Sequence, residues 1–337
     1  MQLEQLKLAD LDPDLWNGFL DRAGADSPFC RHAWLDLIDR ANPAWRVSII
    51  ALLDKGSLAA ALPVVDHGFT LFSQSHSLPQ GSPAGPLAAA GENAAQAMEQ
   101  LLARWVATRT CGWAYRLALT FDNPDPLCLD FLRRLKFTLI EQQAYRIRTG
   151  EGNFTEWEQS LAGDVRKKMR QADQRGASFE DASAAGRADE IVRLARLTAS
   201  RHRRRPPYGE TFYRLLLGEP APPAVRTGLV RLFVVRVEGR PAAFNLCLTH
   251  AGRWWLVDHG ADRSLADRRP ADLLYREIVR TAFAESAAEI DLGAVPPGAD
   301  SLARFKSSLA GEPCRRLSAV KRSFLFAAAE MGRRILP

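Results

Sequence analysis

The sequence predicts an α+β (α/β) protein of two domains, each with a mixed, mostly antiparallel sheet flanked by helices. The chain has 337 residues, of which 47% are hydrophobic and 25% charged, and this suits two globular domains. Segments with helical and with strand periodicity alternate, and the order of the first half recurs in the second. We therefore place the domains at residues 1–150 and 151–337.

The first half begins with a helix at 31–41, which follows a Ser-Pro turn and ends before Asn42-Pro43. Two apolar runs, 46–53 and 58–65, flank a turn that contains glycine and predict a hairpin. Periodicity then predicts a helix, a strand, a helix and a strand, at 94–108, 115–119, 127–135 and 138–148.

The second half begins with helices at 163–175, 188–202 and 211–217. Three consecutive strands follow, at 229–237, 240–249 and 253–259, joined by the tight-turn pairs Glu238-Gly239 and Ala251-Gly252. The chain then alternates helix, strand, helix and strand, at 272–284, 289–292, 302–308 and 314–321.

Composition excludes several classes of protein. The five cysteines are odd in number and far apart, which argues against a disulfide framework or structural zinc, and we expect no metal. We expect them to be small buried hydrophobes: Cys30, Cys111, Cys128, Cys247 and Cys314. The N-terminal residues lack a secretory signal, and no apolar run approaches about 18 residues, so we expect a cytoplasmic protein without stable membrane insertion.

The positive charge is concentrated in the second half. The first 150 residues contain 14 basic against 16 acidic side chains, and the remaining residues contain 31 against 23, so the net charges are −2 and +8. A basic second half suits an anionic partner such as a nucleotide, a phosphorylated cofactor or RNA. A solvated basic surface would give the same balance.

Several short motifs occur in a characteristic order along nearly the whole chain. They include Asp291-Leu292-Gly293, followed by an Arg-Phe-Lys segment at 304–306. The others are residues 27–29 (Ser-Pro-Phe), 33–35 (Ala-Trp-Leu), the basic helix 166–172 ending at Gly176, the aromatic segment 208–213, and 239–243 (Gly-Arg-Pro-Ala-Ala).

This order resembles FemAB-like proteins of the GNAT acyltransferase superfamily, which include tRNA-dependent peptidyltransferases and the CelD-type acetyltransferases. The resemblance implies two tandem GNAT-like domains, with the acyl-donor site in the second. The first domain has no basic loop after its strands, and we expect it to be a structural partner on the acceptor side. The sequence lacks the long charged heptad segment of the helical arm found in the staphylococcal peptidoglycan enzymes.

The resemblance also implies a donor site. In a GNAT domain the pantetheine of the cofactor lies along a splayed strand, and its pyrophosphate lies at the start of the next helix. Here the splayed strand would be residues 254–260. The phosphate-binding residues would be Arg263, Arg268, Arg269, Ala271 and Asp272, although the usual glycine-rich loop is missing. Solvated arginines beside a helix start are the alternative.

Three side chains are the predicted catalytic residues. By the resemblance, Lys306 stabilises negative charge on the reacting carbonyl, and Phe305 walls the substrate channel; the alternative is a surface lysine beside a core phenylalanine. His259 is a possible proton acceptor at the end of the splayed strand, or a histidine satisfied within the fold. Because strand side chains alternate, only one of Asp258 and His259 can face the cleft.

Two basic clusters are the predicted substrate-binding surfaces. One is on the helix at 163–175 and includes Lys167 and Arg170. The other is the run at 201–205, which includes Arg204 and precedes Tyr208. Either cluster suits an anionic acceptor or tRNA, and a solvated helix surface explains both equally well.

The resulting hypothesis is an N-acyltransferase. It would transfer an acyl group from acyl-CoA, such as acetyl-CoA, to an amine in an amino sugar, amino acid or cell-envelope precursor. The first alternative is an aminoacyl-tRNA-dependent peptidyltransferase. The second is a non-catalytic binding protein that keeps the GNAT fold.

Overall fold

The chain forms two compact units in a computed structural model. The structure describes residues 1–69, 72–78, 82–91, 93–110, 112, 114–122, 124–183, 187–203 and 205–335. The first unit comprises residues 1–142 and 315–337, and the second comprises residues 143–314.

Both units contain strands and helices. The strands are β1 (Gln2–Lys7), β2 (Arg46–Asp54), β3 (Ser57–Phe69), β4 (Phe72–His76), β5 (Leu87–Ala88), β6 (Ala114–Phe121), β7 (Thr138–Arg148), β8 (Ala177–Asp181), β9 (Val230–Val237), β10 (Arg240–His250), β11 (Arg253–Ala261), β12 (Glu289–Ala294) and β13 (Glu312–Arg322). The helices are α1 (Pro13–Arg22), α2 (His32–Ala41), α3 (Ala94–Arg109), α4 (Pro126–Arg134), α5 (Phe154–Ser160), α6 (Gly163–Gln174), α7 (Ala188–Arg201), α8 (Glu210–Leu216), α9 (Pro223–Arg226), α10 (Pro270–Ala284), α11 (Asp300–Ser308) and α12 (Phe324–Ile335).

The two units have the same sheet pattern. In the first unit β1, β2, β3 and β4 are antiparallel neighbours, β4 pairs with β6 in parallel, and β6 pairs with β13 antiparallel. In the second unit β8, β9, β10 and β11 are antiparallel neighbours, β11 pairs with β12 in parallel, and β12 pairs with β7 antiparallel. The predicted fold class, two domains with mixed and mostly antiparallel sheets, is confirmed.

The units differ from the predicted domains at the C-terminus. The prediction kept all residues after 150 in the second domain, whereas residues 315–337 lie in the first unit. The reason is strand pairing, since β13 forms its ladder with β6 over Leu317–Arg322. Sequence periodicity identifies a strand without identifying its neighbour.

The core of the first unit lies between its sheet and α3 and α4. Trp105 is fully buried there, and its indole N–H donates to Ser75 Oγ at 3.2 Å. Because a buried indole N–H without a partner would be costly, this bond fixes the orientation of Trp105. The unit is thus stabilised by its own core.

The core of the second unit covers one face of its sheet. It contains Met169 of α6, Leu273 and Ile278 of α10, and Phe233 and Trp254 of the sheet. The spacing of the apolar residues along α10 follows the helical period and faces them towards the strands. On the other face, Tyr213 of α8 packs edge-on against Phe244 of β10.

Three of the cysteines are buried, as the sequence predicts. Cys30, Cys128 and Cys247 lie in the cores. Burial raises the pKa of the Cys30 and Cys128 thiols to about 12, so neither forms a thiolate at neutral pH. Cys314 is half-buried, and Cys111 lies outside the described residues.

Helix α7 lies directly against β11 at Gly260. A Cβ atom there would lie 2.5 Å from Phe244 Cε1 and 2.8 Å from the Leu194 carbonyl oxygen. The backbone of α7 therefore approaches a strand that has no side chain at this position, which fixes where the helix crosses the sheet.

We expect Gly260→Ala to lower the free energy of unfolding by about 1–3 kcal/mol, because the added methyl group overpacks the contact with Leu194. Gly163→Ala is the matched control, since its Cβ would meet nothing within 4 Å. Urea unfolding followed by tryptophan fluorescence measures both. Equal stability of the two variants would show that α7 moves freely away from β11.

Candidate functional site

Strands β11 and β12 form a fork in the sheet of the second unit. They pair in parallel at three positions, from Arg253–Glu289 to Trp255–Asp291. Beyond these, β11 continues to Ala261 with no strand paired on that side among the described residues, while β12 continues beside β7. The fork leaves an open strand edge from Leu256 to Ala261, at the position that the sequence predicts for the splayed strand.

Each arm of the fork is irregular just after the last shared pair. In β11 the partner register shifts, so that Leu246 faces Asp258 and Cys247 faces Leu256, which leaves Val257 as an extra residue. In β12 the register with β7 shifts between Asp291 and Ala294. Because β-bulges bend the strands that contain them, the two shifts separate the arms.

The β11 bulge places Asp258 and His259 in different environments. Asp258 is 4% exposed, and its carboxylate accepts hydrogen bonds from the Tyr213 hydroxyl and from His259 N at 2.9 Å. Burial and the nearby Asp258 carboxylate raise the pKa of Tyr213 well above its usual value, so Tyr213 stays a neutral donor. The His259 side chain is exposed. Of the two residues, His259 is the one open to solvent.

Tyr208, a predicted substrate-binding residue, is buried. It is 3% exposed and stacks on Phe212 with ring centroids 4.3 Å apart. Burial, and secondarily the Asp258 charge, raise its pKa. Its position makes it part of the aromatic packing beneath Asp258.

The start of α10 lies just beyond the end of β11. Arg269 precedes the helix in a left-handed conformation with φ of 58°, and it provides no side-chain cap. Pro270 has no N–H, and the first intrahelical bond runs from Leu273 N to Arg269 O at 3.2 Å. The N–H groups of Ala271 and Asp272 therefore precede this bond. The Asp272 N–H bonds to the carboxylate of its own residue, so the Ala271 N–H and the helix dipole are the features suited to an anion.

Two basic side chains, Arg269 and Lys168, lie near this helix start together with the acidic Asp272. The Arg269 Nε atom is buried without a hydrogen-bond partner among the described residues. Burial raises the pKa of Asp272, while the charges of Arg269 and of Lys168 on α6 act in the opposite direction. These influences place Lys168 near the α10 start.

The other predicted phosphate-binding arginines lie further away or are engaged. Residues 263–268 form a short 3-10 helix, capped by Asp262 through Ser264 N at 3.0 Å, in place of a glycine-rich loop. Arg263 is exposed on this segment. Arg268 pairs with Glu238 at 3.2 Å and donates to the Arg175 carbonyl oxygen.

The predicted basic clusters divide into two kinds of residue. Lys168 and Arg175 are seven residues apart on one side of α6, and Arg175 donates to the Asp267 carbonyl oxygen near the α10 start. Lys167 and Arg170 are exposed. At the end of α7, the residues Arg201, His202, Arg203 and Arg205 are exposed, and Arg204 lies outside the described residues.

Lys306 holds the β12 arm of the fork. It is 7% exposed, and its ammonium donates to the carbonyl oxygens of Gly293 at 2.8 Å and Ala294 at 3.0 Å. Gly293 has a φ of 82°, which glycine adopts without strain, and its N–H donates to Asp291 Oδ1 at 2.6 Å. Lys306 and Asp291 together fix the turn that takes β12 away from β11.

Phe305 packs beside the same arm. It is half-buried, and its ring meets that of Tyr275 edge-on with centroids 5.1 Å apart. Burial raises the pKa of Tyr275 to about 12. Phe305 thus contributes an apolar surface between α10 and α11.

The sequence analysis gave Thr198 no role and included Tyr213 only as a member of the aromatic segment 208–213. Thr198 of α7 is 2% exposed and accepts a hydrogen bond from Ala261 N at 2.9 Å. No sequence motif marks it, because its role depends on the position where α7 crosses β11. The signal for Lys168 and Arg175 was present in their seven-residue spacing.

Comparison with known proteins agrees with this geometry. Residues 159–307 match the family model of the acetyltransferase (GNAT) domain. Known structures with a similar fold include FemX, with 12% identity, a TM-score of 0.64, and coverage of 94% of this chain and 96% of that chain. The C-terminal domain of a protein assigned as a lysylphosphatidylglycerol synthetase from Agrobacterium fabrum has 15% identity, a TM-score of 0.62, and 98% coverage of both chains.

A third similar structure is a tandem GNAT protein from the clavulanic acid biosynthesis pathway. It has 12% identity, a TM-score of 0.56, and coverage of 95% of this chain and 98% of that chain.

No curated protein sequence matches the chain significantly. Residues 159–307 thus match the GNAT domain family, and the fold of the whole chain is similar to the folds of FemX and the tandem GNAT protein. The resemblance predicted from the sequence is confirmed.

Within the described ranges, no helix combines the length and the apolar character needed to cross a bilayer.

We expect Lys306→Met to lower the free energy of unfolding by about 3 kcal/mol, because two buried carbonyl oxygens lose a charged donor. Lys167→Met removes an exposed ammonium from the same unit and should change stability by less than about 0.5 kcal/mol. Urea unfolding measures both variants. If Lys306→Met is as stable as the control, Lys306 does not hold the β12 arm.

Proposed function

We propose that this protein is an N-acyltransferase that transfers an acyl group from acyl-CoA to an amine acceptor, with its donor site at the fork of the second unit. The observation that carries the proposal is the combination of the open β11 edge with the uncapped start of α10, which has Arg269 and Lys168 nearby. An extended amide chain fits an open strand edge, and phosphates fit a helix start.

The residues at the α10 start fit the phosphate end of such a donor. Arg269 has a buried Nε atom without a hydrogen-bond partner among the described residues, and a phosphate oxygen would satisfy it. The N–H group of Ala271 would donate to the same anion, and Lys168, whose ammonium pairs with Asp164 at 3.0 Å, would add charge. Acyl-CoA supplies a thioester carbonyl as the electrophile.

The residues of the fork would orient the reacting groups. Phe305 offers an apolar wall, and the β11 bulge at Val257 disturbs the strand edge near the vertex. His259 is exposed beyond the bulge, where its imidazole would take one proton from the amine of the acceptor. Lys306 would act on the reacting carbonyl only by giving up part of its bonding to β12, so we assign it a positioning role in this proposal.

The proposed acceptor is a molecule that carries an amine. An amino sugar, an amino acid or a cell-envelope precursor would each provide the amine. The exposed Lys167 and Arg170 of α6 would favour acceptors that carry a phosphate or carboxylate.

A second candidate function is aminoacyl-tRNA-dependent transfer. It is favoured by the exposed basic residues at the end of α7, namely Arg201, His202, Arg203 and Arg205. Phosphate contacts make such binding strongly salt-dependent.

We expect CoA and acetyl-CoA to raise the melting temperature in a dose-dependent way, because a ligand that binds only the folded state stabilises it.

Arg269→Gln should weaken CoA binding about tenfold, since a charged hydrogen bond to phosphate is lost. Arg226→Gln, which changes an exposed arginine of α9, is the matched control.

Isothermal titration measures the affinities, and acetyl transfer to a panel of amines measures turnover. The absence of any shift at millimolar CoA would contradict the acyl-CoA donor. Binding without transfer to any amine would instead favour the non-catalytic binding protein.

For the second candidate, we expect the double variant Arg201→Glu and Arg203→Glu to abolish tRNA binding, because it reverses charge in the exposed cluster. Filter binding at two salt concentrations is the measurement. Wild-type affinity that does not fall with salt would exclude tRNA as the donor.

A further inference from the structure

The open edge of β11 presents two backbone N–H groups towards the fork. Asp262 N donates to Ala242 O on β10 at 2.8 Å, and the register pairs Gly260 with Phe244 and Asp258 with Leu246. In an antiparallel ladder, alternate residues direct their N–H groups to opposite edges. The N–H groups of His259 and Ala261 therefore point away from β10.

Both of these N–H groups already have side-chain acceptors. Ala261 N donates to Thr198 Oγ1 at 2.9 Å, and His259 N donates to Asp258 Oδ1 at 2.9 Å. The carboxylate of Asp258 is also fixed by Tyr213. An open edge usually offers such donors to an added strand, whereas the two N–H groups of this edge already bond to side chains of the same unit.

Packing of α7 against β11 fixes the position of the Thr198 hydroxyl. Thr198 is 2% exposed, and one turn earlier on α7 the Leu194 backbone lies against Gly260. The helix cannot come closer to or slide along β11 without a clash at Gly260. The Thr198 hydroxyl therefore competes with any ligand carbonyl oxygen for Ala261 N.

We infer that Thr198 is a specificity-determining residue that keeps the affinity for the amide arm of the donor low at the outer end of β11. The inference rests on the proposed function, because it requires the arm to lie along this edge. The donor is then held mainly through its phosphate end and through contacts near the last residue pair that β11 and β12 share. Weak ground-state binding of the arm favours release of the product carrier and does not slow the chemical step.

The test is Thr198→Ala, which removes the acceptor and leaves its space open to a ligand carbonyl oxygen. The freed N–H of Ala261 should then bond to the arm, so the Kd for CoA should fall about tenfold. The Kd for adenosine 3′,5′-bisphosphate, which has no arm, should stay unchanged. Isothermal titration with both ligands is the measurement.

Thr281→Ala is the matched control, because Thr281 also uses its hydroxyl within the unit, donating to the Glu277 carbonyl oxygen on α10 at 2.8 Å. It should bind both ligands as the wild type does. Thr198→Ser keeps the acceptor and should also match the wild type. If the alanine variant does not fold, Thr198→Gly also removes the hydroxyl and opens the same space, and it gives the same comparison.

Three results would overturn the inference, and they are distinguishable. If the wild type binds CoA and neither hydroxyl-free variant binds it more tightly, Thr198 does not compete with the arm, and the donor proposal survives. If no variant binds CoA, both the inference and the acyl-CoA donor fail. A tenfold gain for both ligands would also contradict a role confined to the arm.

Discussion

The parting of β11 from β12 after three residue pairs is the constraint on which the candidate site depends. A continuous parallel ladder would satisfy the β11 edge and leave no room for an extended ligand. The bulge at Val257 and the turn at Gly293 act on opposite arms, directly after the last shared pair. Lys306 then bonds to the carbonyl oxygens of the turn, so the opening is held by hydrogen bonds within the unit.

The start of α10, which is suited to an anion, lies just beyond the end of the open β11 edge. The α10 start follows β11 after a short 3-10 helix, which places an uncapped helix N-terminus beyond the open edge. Helix α6 adds Lys168 to this region because α6 and α10 pack together through Met169 and Leu273. Part of the positive net charge of the second half is thus located near the α10 start, although many of its basic side chains are paired or solvent-exposed.

Much of the fold could be predicted from the sequence. The three consecutive strands and the helix that follows were found because their turns and periodicity are local properties. The strands β1 and β8 were missed, since both are short and half-exposed and lack a clear apolar alternation. The pairing of β13 in the first unit could not be predicted, because it depends on contacts distant in sequence.

The site was predictable only in part. The predicted splayed strand lies in β11, and Arg269, Ala271 and Asp272 lie at the start of α10, an arrangement that follows from their order along the chain. The sequence could not indicate that Lys306 is committed to β12, that Tyr208 is buried, or that Thr198 reaches Ala261. Each of these facts depends on how a helix crosses the sheet.

The most direct test of the central claim is hydrogen–deuterium exchange of the whole chain with and without saturating CoA. If the fork receives the donor, exchange should slow in peptides that cover residues 253–261 and 269–274, and it should stay unchanged in 230–237, which lies in the interior of the same sheet. Protection confined to other parts of the chain would contradict a donor site at the fork.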